Sequence, residues 1–344
     1  MNKIDLAVVG CGYVADYHLR AWKKVRNARV VAVCDLKENM ARNVARLWKI
    51  SEYYTSFPKL LEQRNIDLID ICTPPHTHAS LAVQAMKSNF HVLLEKPMTM
   101  TVKEAHEILD CQRTKDVKVG VIHNMLYEPP FLRVSSMVET GYVGDILSVE
   151  VEMIGTKYDP MCADEHHWCH NTLGGRFGEL LTHPIYSLQH FLGSLELEGV
   201  WTSKVDGYPW MKTDELCAIL KAGKKWGRIY VSFNSARPAV FINIYGSKVI
   251  LRLDAVNATI TTLSGMATKL RSWDKIIDSL RQASQLAGST ARNALSALLG
   301  RWRNGHETYI KLFAESLING KDPPVASYKA YETVKILEQM CREV

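Results

Sequence analysis

Two short stretches set proton-carrying side chains where a redox reaction at a carbinol carbon could use them. The first is Glu95-Lys96-Pro97, directly after an apolar run, where proline stops a strand and fixes a turn. A partly desolvated ammonium beside another positive charge loses its proton more easily. Lys96 could therefore exchange a proton with a substrate hydroxyl while hydride moves to or from a bound carrier. The second is Gly174-Gly175-Arg176-Phe177-Gly178-Glu179-Leu180-Leu181-Thr182-His183. Glu179 and His183 are four apart, so on one helix they share a face, and histidine is the usual acid or base near neutral pH. The paired glycines permit close backbone approach ahead of that helix. Taken alone, each stretch also fits a plain structural role, a surface Lys-Pro turn or a hydrogen-bonded helix histidine.

Such chemistry needs a hydride carrier, and the start of the chain has the parts to hold one. An apolar run ends in Gly10-Cys11-Gly12-Tyr13-Val14-Ala15, an amphipathic stretch follows, and a second apolar run ends at Asp35. The first glycine permits the tight turn, and Gly12 lets the backbone approach a pyrophosphate. Small Ala15 lets helix pack on strand, with the helix N-terminus facing the phosphates. A carboxylate about 20 residues beyond the motif accepts both ribose hydroxyls of NAD and repels a 2′-phosphate. Asp35 therefore favours NAD over NADP, although Lys37 and Arg42 lie close by.

The elements that must position these residues follow from the pattern. Strands are expected at 68–72, 91–95 and 117–122, and helices at 77–88 and from the capping pair Thr101 and Glu104 towards 115. Alternating strands and helices imply a doubly wound parallel sheet with ligands beyond the carboxyl ends of its strands. Thr73, Glu95 with Lys96, and His123 with Asn124 follow those runs and are expected to line the crevice, Asn124 towards the substrate. From residue 144 the period changes to two, with strands at 148–153, 200–205, 215–220, 228–233, 240–245 and 249–253. These imply an antiparallel sheet, one face of which could pack on a second subunit. Residues 1–124 are read as a dinucleotide-binding domain and 125–344 as a substrate and oligomerisation domain, with Pro129-Pro130 a plausible boundary.

The chain has 344 residues, a net charge of +6 and no apolar run long enough to span a bilayer. Its eight cysteines are scattered without a CxxC pair, which suits a reducing, cytoplasmic setting. Residues 164–170, Asp-Glu-His-His-Trp-Cys-His, are rich in metal-ligand types. They lack the separated ligand pairs of structural zinc sites, so no metal is expected. A substrate loop is the preferred reading, with Trp168 offering a flat face and His166, His167 or His170 offering hydrogen bonds.

The charge excess is local. Between Lys269 and Arg303 stand seven basic residues and only two acids, Asp274 and Asp278. Nucleic-acid binding by the rest of the chain is not indicated. Ile276, Leu280, Ala283, Ala287, Ala291, Ala294, Leu298 and Trp302 step by three or four. The preferred reading is an added helix, broken near Gly288, that packs its stripe on its own or a neighbouring subunit. Contact with anionic lipid, or an electropositive wall for a nucleotide-sugar diphosphate, are the alternatives; the stripe is weakly apolar, so membrane contact is not expected.

Together GCGYVA, VCD, TPPHTH, HVLLEKPMTMT and GGRFGELLTHPIYSLQHFLG, in this order and spacing, resemble the glucose-fructose oxidoreductase / inositol dehydrogenase (Gfo/Idh/MocA) family. The resemblance covers the chain apart from a divergent stretch at 255–305. It implies a Rossmann domain, then an α/β domain with a large, mostly antiparallel sheet. It also implies NAD(P)-dependent hydride transfer on sugars, cyclitols or nucleotide sugars; a homo-oligomer, dimer or tetramer, is expected from the sheet face instead. Lys96 matches the family lysine at the nicotinamide ribose and substrate hydroxyl, and His183 the acid–base histidine. Thr73, Pro74 and His78 match the loop near the cofactor, and Glu95 a nicotinamide-ribose contact. Arg176, within the glycine-rich motif, is expected at the substrate. Glu179 stands where the family has aspartate and Tyr186 where many members have a second aspartate. Those departures keep open an inactive cofactor-binding sensor or partner subunit of the same fold.

Overall fold

The computed structural model describes residues 3–63, 65–265, 271–300 and 303–344. They form two compact units, Met1–Tyr127 with Asn304–Glu338, and Glu128–Arg303 with Gln339–Val344.

The first unit is built on six parallel strands: β1 (Ile4–Val9), β2 (Ala28–Cys34), β3 (Glu52–Tyr54), β4 (Leu68–Ile71), β5 (His91–Leu94) and β6 (Val119–Val121). Their order is β3-β2-β1-β4-β5-β6, so the direction of winding reverses between β1 and β4. The central strands are apolar on both faces because helices cover both. Every residue of β4 is buried, Asp70 included. The expected helices occupy His78–Lys87 and Val102–Arg113, the second opened by the Thr101–Glu104 capping box.

Residues 304–338, which the sequence pattern groups with the second domain, belong to this first unit. The helix Gly305–Ile318 buries Tyr309 and Phe313, and Tyr309 meets Tyr127 edge-on with centroids 5.0 Å apart. Helical periodicity shows which face of a helix is apolar, but not which sheet that face will cover.

The second unit carries β7 (Ile146–Ile154), β8 (Glu196–Ser203), β9 (Glu215–Ala222), β10 (Lys225–Ser232), β11 (Ala239–Gly246), β12 (Val249–Asp254) and β13 (Thr259–Ser264). They order as β13-β12-β11-β7-β10-β9-β8, antiparallel except for the parallel pair β7 and β10. The helix Thr182–Leu192 packs on β7 and β10.

The basic segment departs from expectation at Gly288, and of the two packing surfaces expected for its stripe it does not use its own subunit. The helix Arg271–Leu298 runs unbroken through Gly288, since one helical glycine costs only about 1 kcal/mol against alanine. Its apolar stripe faces solvent, and its polar side chains meet edge strand β13. The Gln285 amide accepts from Thr262 N and donates to Thr262 Oγ1, both at 2.8 Å. Asn293 Nδ2 donates to the carbonyls of Asn257 and Ala258 at 3.0 Å. An edge strand and the turn leading into it leave backbone groups to be satisfied, and these side chains do so at Thr262, Asn257 and Ala258. Lys269, Arg301 and Trp302 lie outside the described residues, as does the Arg271 side chain. Among the described residues, no helix is long and apolar enough to cross a membrane.

Candidate active site

The cofactor cradle lies at the carboxyl end of β1. Gly10 has φ +92°, and a Cβ there would stand 2.8 Å from the Cys72 carbonyl oxygen, so the turn requires glycine. At Gly12 a Cβ would meet nothing within 4 Å, which leaves the open approach a pyrophosphate needs. Gly12 also caps the helix Tyr13–Lys23 with no side-chain hydrogen bond. The first-turn amides, including those of Tyr13 and Val14, thus point outward where an anion is favoured. Ala15 is buried, as close packing of helix on strand demands, while the Tyr13 side chain is exposed. Asp35 ends β2 with its carboxylate turned to the same loop, accepting from Cys11 N and Lys37 N at 2.8 Å each. Carboxylate oxygens each have two lone pairs, so acceptor capacity remains for ribose hydroxyls. Arg42 is held by an ion pair to Glu38 on its own helix. These features fit a bound NAD(P).

After β4, Thr73 and Pro74 form the next loop, with Thr73 Oγ1 2.6 Å from Thr77 Oγ1. The fully buried His78 ring sits between two carbonyls, Thr73 O at 2.8 Å and Pro97 O at 2.9 Å. Burial lowers its pKa. His78 thus braces the loop and the Lys96-Pro97 turn against each other, a structural position behind the cradle.

Lys96 lies two residues beyond the end of β5 and is half-buried. Its backbone N donates to Glu95 Oε2 at 2.9 Å. Glu95, expected at the nicotinamide ribose, turns its carboxylate inward, and Oε1 accepts from His18 Nε2 at 2.9 Å and His306 Nε2 at 3.1 Å. His18 Nδ1 in turn lies 2.9 Å from Asp70 Oδ2, to which Trp22 Nε1 also donates at 2.6 Å. Burial alone would lower the His18 pKa, but the charge and hydrogen bond of Asp70 outweigh it and hold the pKa well above the usual value. Burial alone would likewise raise Glu95, but hydrogen bonds from His18 and His306 hold it well below the usual carboxylate range. The result is a buried imidazolium between two carboxylates, anchoring the residue beside Lys96.

Sequence reasoning missed His18, Asp70 and His306. The one available signal was Asp70 itself, an acid inside an apolar strand, which must find a partner or neutralise. His123, next to Asn124, is buried and pushed down to about 3 by desolvation, so its ring is neutral. Asn124 opens a short turn, Asn124–Tyr127, after β6.

In the second unit, Glu179 and His183 do not share one helix as the spacing suggested. Helices Gly175–Leu180 and Thr182–Leu192 meet at Leu181, because Pro184 has no N–H for the Leu180 carbonyl. His183 Nδ1 lies 2.6 Å from the hydroxyl of buried Tyr186, whose ring stands edge-on to the imidazole. That contact fixes the orientation of the imidazole, the side chain best suited to proton exchange near neutral pH.

Arg176, expected at the substrate, is 7% exposed. It lies between Asp159, at 2.8 Å, and Glu179, with its guanidinium over Phe233. Two carboxylates and an aromatic face make it a buried brace for the loop ahead of His183. His167 and Trp168 are half-buried, their rings tilted together at 5.3 Å, and burial lowers the His167 pKa.

Residues 4–123 match an oxidoreductase family model described as an NAD-binding Rossmann fold, and residues 135–344 match the model of that family's C-terminal alpha/beta domain. The chain is 27% identical over 202 residues to oxidoreductase P35 of Formosa agariphila, which covers 57% of this chain and 62% of that protein. A match to an uncharacterised oxidoreductase of Synechocystis covers 52% of that protein. Several matched relatives are thus covered over only part of their length. Myo-inositol 2-dehydrogenase of Thermotoga maritima is 22% identical over 329 residues, 93% of this chain and 90% of that protein. The WlbA dehydrogenase of Bordetella pertussis, solved with NADH and UDP-GlcNAcA, shares the fold. Its TM-score is 0.81 at 20% identity, over 99% of this chain and 96% of that chain. With both of its domain models matched in order and the six-stranded and seven-stranded sheets in place, the chain belongs to the Gfo/Idh/MocA oxidoreductase family.

Proposed function

We propose that this protein is an NAD-dependent dehydrogenase that oxidises a secondary hydroxyl of a sugar, cyclitol or nucleotide sugar, or reduces the matching ketone. The observation that carries this reading is Lys96, set at the carboxyl end of β5 with its backbone pinned to Glu95. A bound nicotinamide supplies the carbon that takes or gives hydride. Lys96 and His183 hold and move the hydroxyl proton, with the His183 ring oriented by Tyr186 at Nδ1. Glu179 works at one remove, because Arg176 engages its carboxylate. NAD is favoured over NADP because Asp35 faces the glycine turn and Arg42 is paired with Glu38. Asn124, His167 and Trp168 are the proposed substrate contacts. The outward face of the seven-stranded sheet, with exposed Trp201 and Trp226, is the proposed homo-oligomer surface.

The test is NADH formation across a panel of sugars, cyclitols and nucleotide sugars. With the responding substrate, Lys96→Ala and His183→Ala should each lower kcat by about 10²–10⁴-fold with NAD affinity kept. Variants that retain wild-type turnover would overturn the assignment.

A further inference from the structure

The helix Arg271–Leu298 is inside out for a helix on a protein surface. Asp274, Asp278, Gln282, Gln285, Ser289 and Asn293, spaced by three or four, turn toward the sheet edge. The opposite face presents Trp273, Ile276, Leu280, Leu295 and Leu298, which are 50–85% exposed. Alanines at 283, 287, 291 and 294 carry the same stripe through the middle. Apolar side chains of this size normally pack inward, so this face is built to be covered by something else.

Charge identifies the cover. Among the described residues of the helix, the exposed charges are Lys275, Arg281 and Arg292, all cationic. Both acids face the sheet: Asp274 is buried, and Asp278, 3.8 Å from Arg281, has a largely covered side chain. Arg281 and Arg292 are eleven residues apart, which puts them on the same flank of the stripe. Beside that flank, Arg133, Arg292 and Arg303 line a groove of about 140 Å³ whose lining includes no acid. A second copy of the same face would bring like charges together, whereas an anionic surface meets the arginines with opposite charge.

We propose that this face rests on an anionic lipid bilayer, with the helix lying in the interface plane. The weakly apolar composition alone argued against membrane contact, but the outward turn of Trp273, Ile276, Leu280, Leu295 and Leu298 reverses that expectation. Its apolar stripe enters the acyl boundary, and the flanking arginines, with the three-arginine groove, take lipid phosphates. At 28 residues the helix is about 42 Å long, ample for such a contact. The proposal does not depend on the identity of the substrate.

Co-sedimentation with phosphatidylcholine vesicles, with and without phosphatidylglycerol, tests it. The wild-type protein should sediment with the phosphatidylglycerol vesicles, and binding should weaken as salt rises. Ile276→Glu/Leu280→Glu and Arg281→Glu/Arg292→Glu should each reduce the bound fraction roughly tenfold with NAD affinity unchanged. Absence of phosphatidylglycerol-dependent binding by the wild-type protein overturns the proposal. So does light scattering in which Ile276→Glu/Leu280→Glu lowers the oligomeric state without any vesicle binding by the wild type, because a second copy then covers the face.

Discussion

His18 Nε2 lies 2.9 Å from Glu95 Oε1, with both side chains sealed from solvent. Glu95 also holds the backbone of Lys96, so the fixed charges inside the first unit set where the proposed catalytic lysine stands.

Replacing His18 with asparagine should therefore cost stability. Removing one partner from a buried charge network costs about 3–5 kcal/mol. The pH dependence follows from the direction of each shift. His18 has a folded pKa raised above 6.5, so its contribution is complete below 6.5 and is lost as pH rises toward the folded value. Glu95 has a folded pKa below 4.5, so its contribution is complete above 4.5 and is lost only as pH falls through the folded value. In urea unfolding at pH 6 to 9, the gap between wild type and His18→Asn should be widest near pH 6 and narrow with increasing pH. A constant gap would rule out a protonated His18.

Tyr186→Phe keeps the ring packed but removes the hydroxyl 2.6 Å from His183 Nδ1. A lost hydrogen bond of about 1 kcal/mol should lower kcat about five- to tenfold, less than loss of the histidine itself. The acid–base limb of the kcat/KM profile should shift, while NAD affinity stays constant. An unchanged pH profile would mean that Tyr186 serves packing alone.

The two glycines of the turn should respond differently to alanine. Gly10→Ala meets the Cys72 carbonyl at 2.8 Å from a positive φ, so about 1–3 kcal/mol of stability should be lost. Gly12→Ala has free space and an ordinary φ, so its melting temperature should hold while NAD affinity falls. Thermal melts with and without NAD distinguish the two.

Asp35→Ala removes the acceptor for Cys11 N and Lys37 N along with the proposed ribose contact. Hydrogen bonds to charged groups are worth about 1.5–3 kcal/mol, so NAD affinity should fall roughly tenfold to a hundredfold. Discrimination against NADP should relax at the same time. Fluorescence titration with both reduced cofactors reads the two effects.

The glycine turn, the alternation of strand and helix and the Lys96 turn were legible because each depends on residues near in sequence. Gly10 is fixed by one φ angle and one close carbonyl, and β4 and β5 by short apolar runs with polar ends. What was not legible arises from distant partners. His18 looked like one more residue on a helix face until Asp70 and Glu95 met it from two strands. Arg176 resembled a substrate ligand until Asp159 approached from a separate loop. The apolar stripe of the Arg271–Leu298 helix was visible, but its direction was not. That direction was set by Gln285 and Asn293 satisfying an edge strand that the period-two pattern did not reveal.

The bond from His306 to Glu95 spans 211 residues and brings late-made chain back onto the first unit. On the ribosome, domains generally fold as they emerge, earliest segments first. Here a nascent chain that had released the whole glycine turn and the Lys96 strand would still lack Tyr309, Phe313 and His306. The NAD-binding half must therefore wait for residues 128–303 to be synthesised before its own interior closes.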